Sequence, residues 1–190
     1  MAEQTQATNQ TRTSRPPQRG GRRNNQDNAA PVEKQFEELV INIDRVSRVV
    51  KGGRRFRFKA LVVVGDRKTK VGVGVAKGQD VQTAIAKATD VAKKNLIIIP
   101  VANETIPHDV ETKVSGAQVL IKPASPGTGI IAGGVVRQII GVTGIRNMLS
   151  KSLGSTNKVN IAYATIAALK DLVPREEWLN APAKSKKETK

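Results

Sequence analysis

The sequence predicts an α+β protein with a domain made of a β-sheet and one helix, followed by a β-α-β-α domain. Strand-like segments come first, one segment of helical period follows, and strand-like and helix-like segments then alternate. A period of two residues indicates a strand, and a period of 3.6 residues indicates a helix. The predicted parts are a basic tail over 1–34, a first domain over 35–99, a second domain over 104–174 and a polar basic tail over 175–190.

The first two strands are expected to form a hairpin. Leu39, Ile41 and Ile43 alternate with polar residues, and the alternation resumes out of phase after Asp44–Arg45, which indicates a β-bulge. The Lys51-Gly52-Gly53 turn suits a tight hairpin, which needs positive φ at its centre. In the second strand, one face carries Phe56, Phe58, Ala60, Val62 and Val64, and the other carries Arg55, Arg57 and Lys59. A third strand is expected around Val71, Val73 and Val75.

An amphipathic helix is predicted over 80–95, with Asp80 as its N-cap and Lys93 and Lys94 near its C-terminus. Strands are then expected at 105–113, 117–122 and 145–151. A short helix follows a glycine-rich loop, with Val135, Val136, Ile139 and Ile140 facing inward. A last helix follows the cap sequence Gly154-Ser155-Thr156-Asn157, and its predicted buried stripe is Val159, Ala162, Ile166 and Leu169.

The charge of the chain points to a polyanionic partner. There are 32 Lys and Arg against 16 Asp and Glu, a formal net charge of +16. The tails 1–34 and 184–190 each contribute +3, which leaves +10 for the middle. We expect no membrane span, because no apolar run approaches about 18 residues, and no secretory signal. Without cysteine, and with His108 as the one histidine, we expect neither disulfides nor a metal site nor any other cofactor.

The basic tail contains five arginines, and residues 4–26 contain no acid. Two interpretations are open for this low-hydrophobicity segment: a solvated tail, or an electrostatic arm that orders on RNA.

A basic stripe occupies the predicted hairpin. Seven cations and no acid lie from residue 45 to residue 59: Arg45, Arg48, Lys51, Arg54, Arg55, Arg57 and Lys59. Alternate strand residues lie about 6.6 Å apart on one face, so this pattern forms rows of positive charge. The charges in such a row repel each other, and a bound anion would reduce that repulsion. A solvated sheet face is the alternative. Phe56 and Phe58 are predicted to be core residues, which argues against base stacking and favours recognition of folded RNA by shape and phosphate contact.

The loop Gly127–Gly134 opens a helix, where backbone N–H groups can bind phosphate. It lacks the Gly-Lys-Ser/Thr ending of a P-loop, and no carboxylate cluster accompanies it to hold magnesium. We therefore favour an RNA or protein contact over a nucleotide site, and expect no catalytic residues and no enzymatic activity. A phosphotransferase and a free-standing RNA chaperone are the competing functions.

The chain resembles a known family in both halves. Lys51-Gly52-Gly53-Arg54, Val64-Gly65-Asp66 and Val71-Gly72-Val73-Gly74 are similar to the signature of the universal S-five family, the fifth protein of the small ribosomal subunit. The run from Lys122 through Gly134, then Arg137 and Gly154-Ser155-Thr156-Asn157, resembles the same family. The resemblance covers about 35–173.

The resemblance implies a first domain similar to double-stranded-RNA-binding folds, with the tip of its hairpin against ribosomal RNA. It implies a cytoplasmic ribosomal protein that binds small-subunit ribosomal RNA, supports subunit assembly and translational accuracy, and lies near the point where messenger RNA enters. The fourth and eighth small-subunit proteins are its implied neighbours. The expected RNA-binding residues are Arg45, Arg48, Lys51, Gly52, Gly53, Arg54, Arg55, Arg57, Lys59, Lys77, Lys122, Ser155 and Asn157. The expected protein-interface residues are Gly127, Thr128, Gly129 and Arg137.

The chain departs from the family pattern at two places. Ala76-Lys77-Gly78 stands where the family commonly has Gly-Lys-Ala, and Gly141 stands where the family usually has an acidic residue.

Overall fold

The computed structural model describes residues 36–174 and 177, so most of both predicted tails lies outside the described residues. The described strands are β1 Glu37–Val50, β2 Gly53–Gly65, β3 Lys70–Gly78, β4 Ile97–Ile98, β5 Val110–Val114, β6 Ala117–Pro123, β7 Ile130–Ile131 and β8 Met148–Gly154. The helices are α1 Val81–Lys94, α2 Gly134–Gly141 and α3 Lys158–Lys170. The predicted α+β class is confirmed.

The first sheet has the order β1-β2-β3-β4 with antiparallel neighbours. The predicted hairpin is present, and both glycines of its turn have positive φ, 98° at Gly52 and 151° at Gly53. The predicted bulge exists but lies at Ile41, where the register shifts between Val40 and Asn42. This earlier position puts Ile43 on a face that is partly open to solvent, because the shift exchanges the faces of every later residue in β1.

Helix α1 packs directly on the first sheet. A Cβ at Gly74 would lie 2.1 Å from the carbonyl oxygen of Ala88, and one at Gly72 would lie 2.3 Å from that of Ala92. The two glycines therefore let the helix backbone approach β3 closely. Asp80 occupies the predicted N-cap position, and its N–H donates to the Thr83 hydroxyl at 3.2 Å.

Strand β2 is buried on both faces along its second half. Ala60, Val62 and Val64 pack with the alanines of α1. Leu61 and Val63, on the face that carries Arg55, Arg57 and Lys59 nearer the tip, pack instead with core residues of the second half of the chain. The described residues therefore form two core clusters, one between β2 and α1 and a larger one that joins the first sheet to the second half of the chain.

The second sheet has the order β5-β6-β8-β7, in which β7 and β8 are parallel and joined through α2. Two of its predicted strands need correction. The strand expected over 105–113 begins at Val110, because Pro107 removes a donor from the preceding segment. The strand expected over 145–151 begins at Met148 and continues to Gly154, since Gly144 and Ile145 belong to a turn held by a hydrogen bond from the Gly144 N–H to the Lys68 carbonyl, 3.0 Å.

The last two helices cover the second sheet and complete the core. Val136, Ile139 and Ile140 of α2 are buried as predicted, whereas Val135 is half-buried. In α3 the predicted stripe is too narrow: Val159 and Ile166 are half-buried, and the buried residues are Ile161, Ala162, Ala164, Thr165, Ala168 and Leu169.

Candidate nucleic-acid interface

The β1–β2 hairpin extends past the rest of its sheet. Strand β3 pairs with β2 only from Phe58 to Gly65, so the hairpin is two-stranded beyond the Arg45–Phe58 pair. We call residues 45–58 the distal ribbon. The distal ribbon contains six cations and no acid. No atom lies within 4 Å of an added Cβ at Gly52 or Gly53, so the backbone at the tip is open to a partner.

One face of the distal ribbon collects four of the predicted RNA-binding cations. Arg48, Arg55, Arg57 and Lys77 line a shallow pocket of about 180 Å³, together with Val46 and Ser47. Arg48 lies directly opposite Arg55 in the register. Among the residues that the structure describes, none of these four cations forms an ion pair, and all four are exposed. The pocket is therefore a site of unbalanced positive charge.

Lys59 belongs to the same face but is already paired. Its ammonium lies 2.8 Å from the carboxylate of Asp44, its cross-strand neighbour. The pKa of Asp44 is lowered, first by the hydrogen bond from Lys59 and then by one from the Asn42 amide. Sequence reasoning missed Asp44 as a partner, and it also missed Lys158, whose ammonium donates to the Asn42 side chain at 2.8 Å. These contacts bring the start of α3 close to Lys59, on the face of the sheet that also carries Arg55 and Arg57.

Arg45 lies on the opposite face, so the structure does not place it with the basic pocket. Its guanidinium carbon lies 3.8 Å from the centre of the Phe56 ring. The prediction that Phe56 is a core residue is wrong: 48% of the residue is exposed, because α1 begins beside Gly78, the partner of Phe58, and its core cluster includes Phe58 but not Phe56. Phe58 is half-buried against the α1 cluster, as predicted.

The remaining predicted RNA contacts are spread over the second half. Lys122 is exposed near the end of β6. The side chain of Asn157 caps α3 by accepting the Val159 N–H at 3.1 Å, and the Asn157 N–H donates to the Ser155 hydroxyl at 3.2 Å. Ser155 and Asn157 are therefore engaged in the helix cap, and Lys158 beside them is the cation that reaches the first sheet.

The glycine-rich loop is held by a buried asparagine. The Asn147 side-chain oxygen accepts the N–H groups of both Gly127 and Gly129, each at 3.1 Å. Those two N–H groups are thus not directed at a ligand. Within the described ranges no group of three or more acidic, histidine or cysteine side chains could hold a metal ion. The sequence gives no periodic signal for Asn147, which precedes β8.

Three of the four predicted protein-interface residues lie along one open groove, and Gly127 does not line it. Thr128, Gly129 and Arg137 line it with Arg67, Glu104 and Arg146. Arg67 pairs with Glu37 at 2.5 Å, and Arg146 pairs with Glu104 at 2.9 Å. In the part of the chain that the structure describes, Arg137 makes no ion pair, so it is the uncompensated cation of this groove.

None of the helices among the described residues is long and apolar enough to cross a membrane.

Comparison with known proteins matches both halves of the chain to one family. Residues 36–100 match the family described as "Ribosomal protein S5, N-terminal domain", and residues 112–180 match "Ribosomal protein S5, C-terminal domain". Proteins named small ribosomal subunit protein uS5 from Campylobacter jejuni strain RM1221 and Campylobacter jejuni subsp. jejuni strain 81-176 are 54% identical over 135 residues. The alignment covers 71% of this chain and 92% of each relative. Because the matches cover both halves and nearly the whole length of these relatives, the chain belongs to the ribosomal protein S5 family and is a structural, non-enzymatic RNA-binding protein of the small ribosomal subunit.

Proposed function

We propose that the chain binds small-subunit ribosomal RNA through the basic pocket of the distal ribbon and thereby supports assembly of the subunit. The observation that supports this most is the convergence of Arg48, Arg55, Arg57 and Lys77 on one exposed pocket without an acidic partner among the described residues. One arginine guanidinium can make two parallel hydrogen bonds to the oxygens of a phosphate, whereas a lysine ammonium binds a phosphate as a point charge. Phosphates supply the negative charge that this pocket lacks.

The tip and the α3 cap extend this surface. Lys51, Gly52, Gly53 and Arg54 provide two more cations and an open backbone at the tip. At the other end, Lys158 joins the α3 cap to β1, so Ser155 and Asn157 lie on the side of the molecule that carries Lys59. We assign Lys122 to a separate RNA contact on the second sheet.

The salt dependence of RNA binding tests the pocket. For a ribosomal RNA fragment, log affinity falls as log salt rises. We expect Arg55→Ala and Lys77→Ala each to make this negative slope shallower by about one, because each variant loses one phosphate contact. Lys87→Ala is the matched control, since Lys87 is exposed on α1 away from the ribbon. An unchanged slope in the pocket variants, or an equal loss in Lys87→Ala, would contradict the assignment.

We also propose that the groove around Arg137 contacts a neighbouring small-subunit protein. Gly127, Thr128 and Gly129 form a loop in which Asn147 accepts the N–H groups of both glycines, which suits a preformed protein contact. The resemblance makes the fourth protein the expected partner here, with the eighth near the same half. We expect Arg137→Glu to weaken binding to the purified fourth protein, while Lys113→Glu, an exposed charge reversal on β5, leaves it unchanged. Equal binding by both variants would contradict this interface.

The roles in translational accuracy and near the point where messenger RNA enters rest on the family resemblance, as does the cytoplasmic ribosome as the place of action. We expect Arg137→Glu to change stop-codon readthrough in cells in which it replaces the parent chain. Readthrough at the parental level, with the variant incorporated into subunits, would argue against a role of this groove in accuracy.

A further inference from the structure

The second face of the distal ribbon has its own chemistry. Phe56 is 48% exposed and Val49 is 76% exposed, and both lie on the face opposite the basic pocket. The Arg45 guanidinium covers the Phe56 ring at 3.8 Å. Arg45 is itself exposed, so a partner can reach its side chain.

This arrangement offers a ready stacking surface. A cation over an aromatic ring is stabilised by the negative charge of the ring face, so the Arg45–Phe56 pair holds the guanidinium in position before a partner arrives. Unpaired RNA bases stack on aromatic rings and on guanidinium planes. A base that is paired within a continuous helix has both faces covered by its neighbours and cannot occupy such a surface.

The charge of the ribbon favours RNA over a protein on this face. Residues 45–58 contain six cations and no acid, and Arg45 has no acidic partner among the residues described. A neutral protein surface would have to cover uncompensated charge, which is costly. An RNA segment supplies phosphates to the basic face while one of its bases covers Phe56 and Arg45.

We propose that the distal ribbon binds RNA at a helix interrupted by an unpaired nucleotide: the basic pocket takes the phosphates, and the Arg45–Phe56 pair takes the unpaired base. This proposal rests on the RNA-binding function proposed above and adds the class of RNA structure that the ribbon selects. It replaces the expectation that the hairpin recognises RNA without base stacking.

Two RNA duplexes provide the test. One is fully paired, and the other is identical except for a single unpaired 2-aminopurine. We expect the full chain to bind the interrupted duplex about tenfold more tightly, as one stacking contact allows, and to quench its fluorescence. Phe56→Leu and Arg45→Lys should both remove this preference. Arg45→Lys keeps the charge but loses the planar group, so its salt slope should equal that of the parent chain.

Val49→Ala is the control, because it removes an exposed apolar group from the same face and should keep the preference. Since Arg45 is exposed, Arg45→Lys tests the proposal even if Phe56→Leu proves unstable. Equal binding of both duplexes by the parent chain would overturn the stacking proposal and leave the phosphate-binding function intact. Absence of salt-dependent binding to either duplex would instead count against the function itself. If the duplexes bind equally and Phe56→Leu still impairs incorporation into subunits, the face contacts a protein and the proposal is wrong.

Discussion

Asp66 fixes the turn between β2 and β3 at the level of a single side chain. One of its carboxylate oxygens accepts the N–H groups of Lys68, Thr69 and Lys70 at 2.8–2.9 Å. Burial favours the neutral acid and by itself would raise the pKa of Asp66, but the backbone donors together outweigh burial and hold the pKa below its ordinary value. The ionised carboxylate therefore stabilises the folded chain.

The lowered pKa of Asp66 predicts how stability depends on pH. Its pKa is lower in the folded chain than in the unfolded chain, so its contribution is complete above the ordinary value of about 3.9 and is lost as the pH falls through the folded value. We expect Asp66→Asn to lower the free energy of unfolding by about 1–3 kcal/mol at pH 7, and the difference from the parent chain to shrink below about pH 4. Urea unfolding at several pH values measures this.

The control for Asp66 is Asp109→Asn, because Asp109 is exposed. We expect that variant to have the same free energy of unfolding as the parent chain at pH 7. A difference between Asp66→Asn and the parent chain that stays constant down to pH 2 would show that the carboxylate charge does not contribute.

The sequence predicted the charges of the basic face but not which of them are free. Alternation in β2 placed Arg55, Arg57 and Lys59 together, because a strand repeats every two residues. It could not show that Asp44 compensates Lys59, since that pair depends on the register between strands. Phe56 was assigned to the core because it shares a face with Phe58. Whether a residue on that face is buried depends on how far α1 extends over the sheet, which the strand pattern does not show.

At the level of the elements, the contact between α1 and β3 depends on Gly74. A Cβ at this position would lie 2.1 Å from the Ala88 carbonyl oxygen, a backbone atom that cannot move without shifting the helix. We expect Gly74→Ala to lower the free energy of unfolding by about 1–3 kcal/mol or more. Denaturant unfolding measures this loss.

Gly141→Ala is the matched control for Gly74→Ala, because Gly141 ends α2 and no atom lies within 4 Å of its added Cβ. Alanine is the better helix former, so this change should be neutral or stabilise the chain by up to about 1 kcal/mol. Equal destabilisation by the two variants would show that close approach at β3 is not the cause.

Elements with a clear period were predictable, and very short ones were not. The hairpin, α1 and the caps at Asp80 and Asn157 follow from local pattern and residue chemistry. The strands β4 and β7 have two residues each, too few to show a period, and pairing with β3 and β8 defines them. The buried stripe predicted for α3 was too narrow, because other elements pack on more than one side of this helix.

At the level of the whole molecule, β2 connects the two proposed surfaces. The tip of the distal ribbon is at its start, and Arg67 of the groove follows its end. Thirteen residues at about 3.3 Å each place the tip roughly 40 Å from Arg67. On the proposals made above, a strand of this length would let one protein bind RNA at one end and a protein neighbour at the other.

The shared core predicts that both halves unfold together. Leu61 belongs to the first sheet but packs in the same cluster as Ile121 and Leu169 of the second half. The Arg67 N–H also donates to the Val142 carbonyl, and the Gly144 N–H to the Lys68 carbonyl, both at 3.0 Å. Separating the halves would expose Leu61 and leave these backbone groups without their partners.

We therefore expect Ile121→Ala to lower the free energy of unfolding by about 2–5 kcal/mol and to reduce hydrogen-exchange protection as much in β2 as in β6, although Ile121 lies in the second sheet. Val62→Ala, which removes atoms from the α1 side of β2, should reduce protection in both halves in the same way. Protection lost only in the half that carries the substitution would mean that the halves unfold separately. The continuous core would then be a contact between two independent domains.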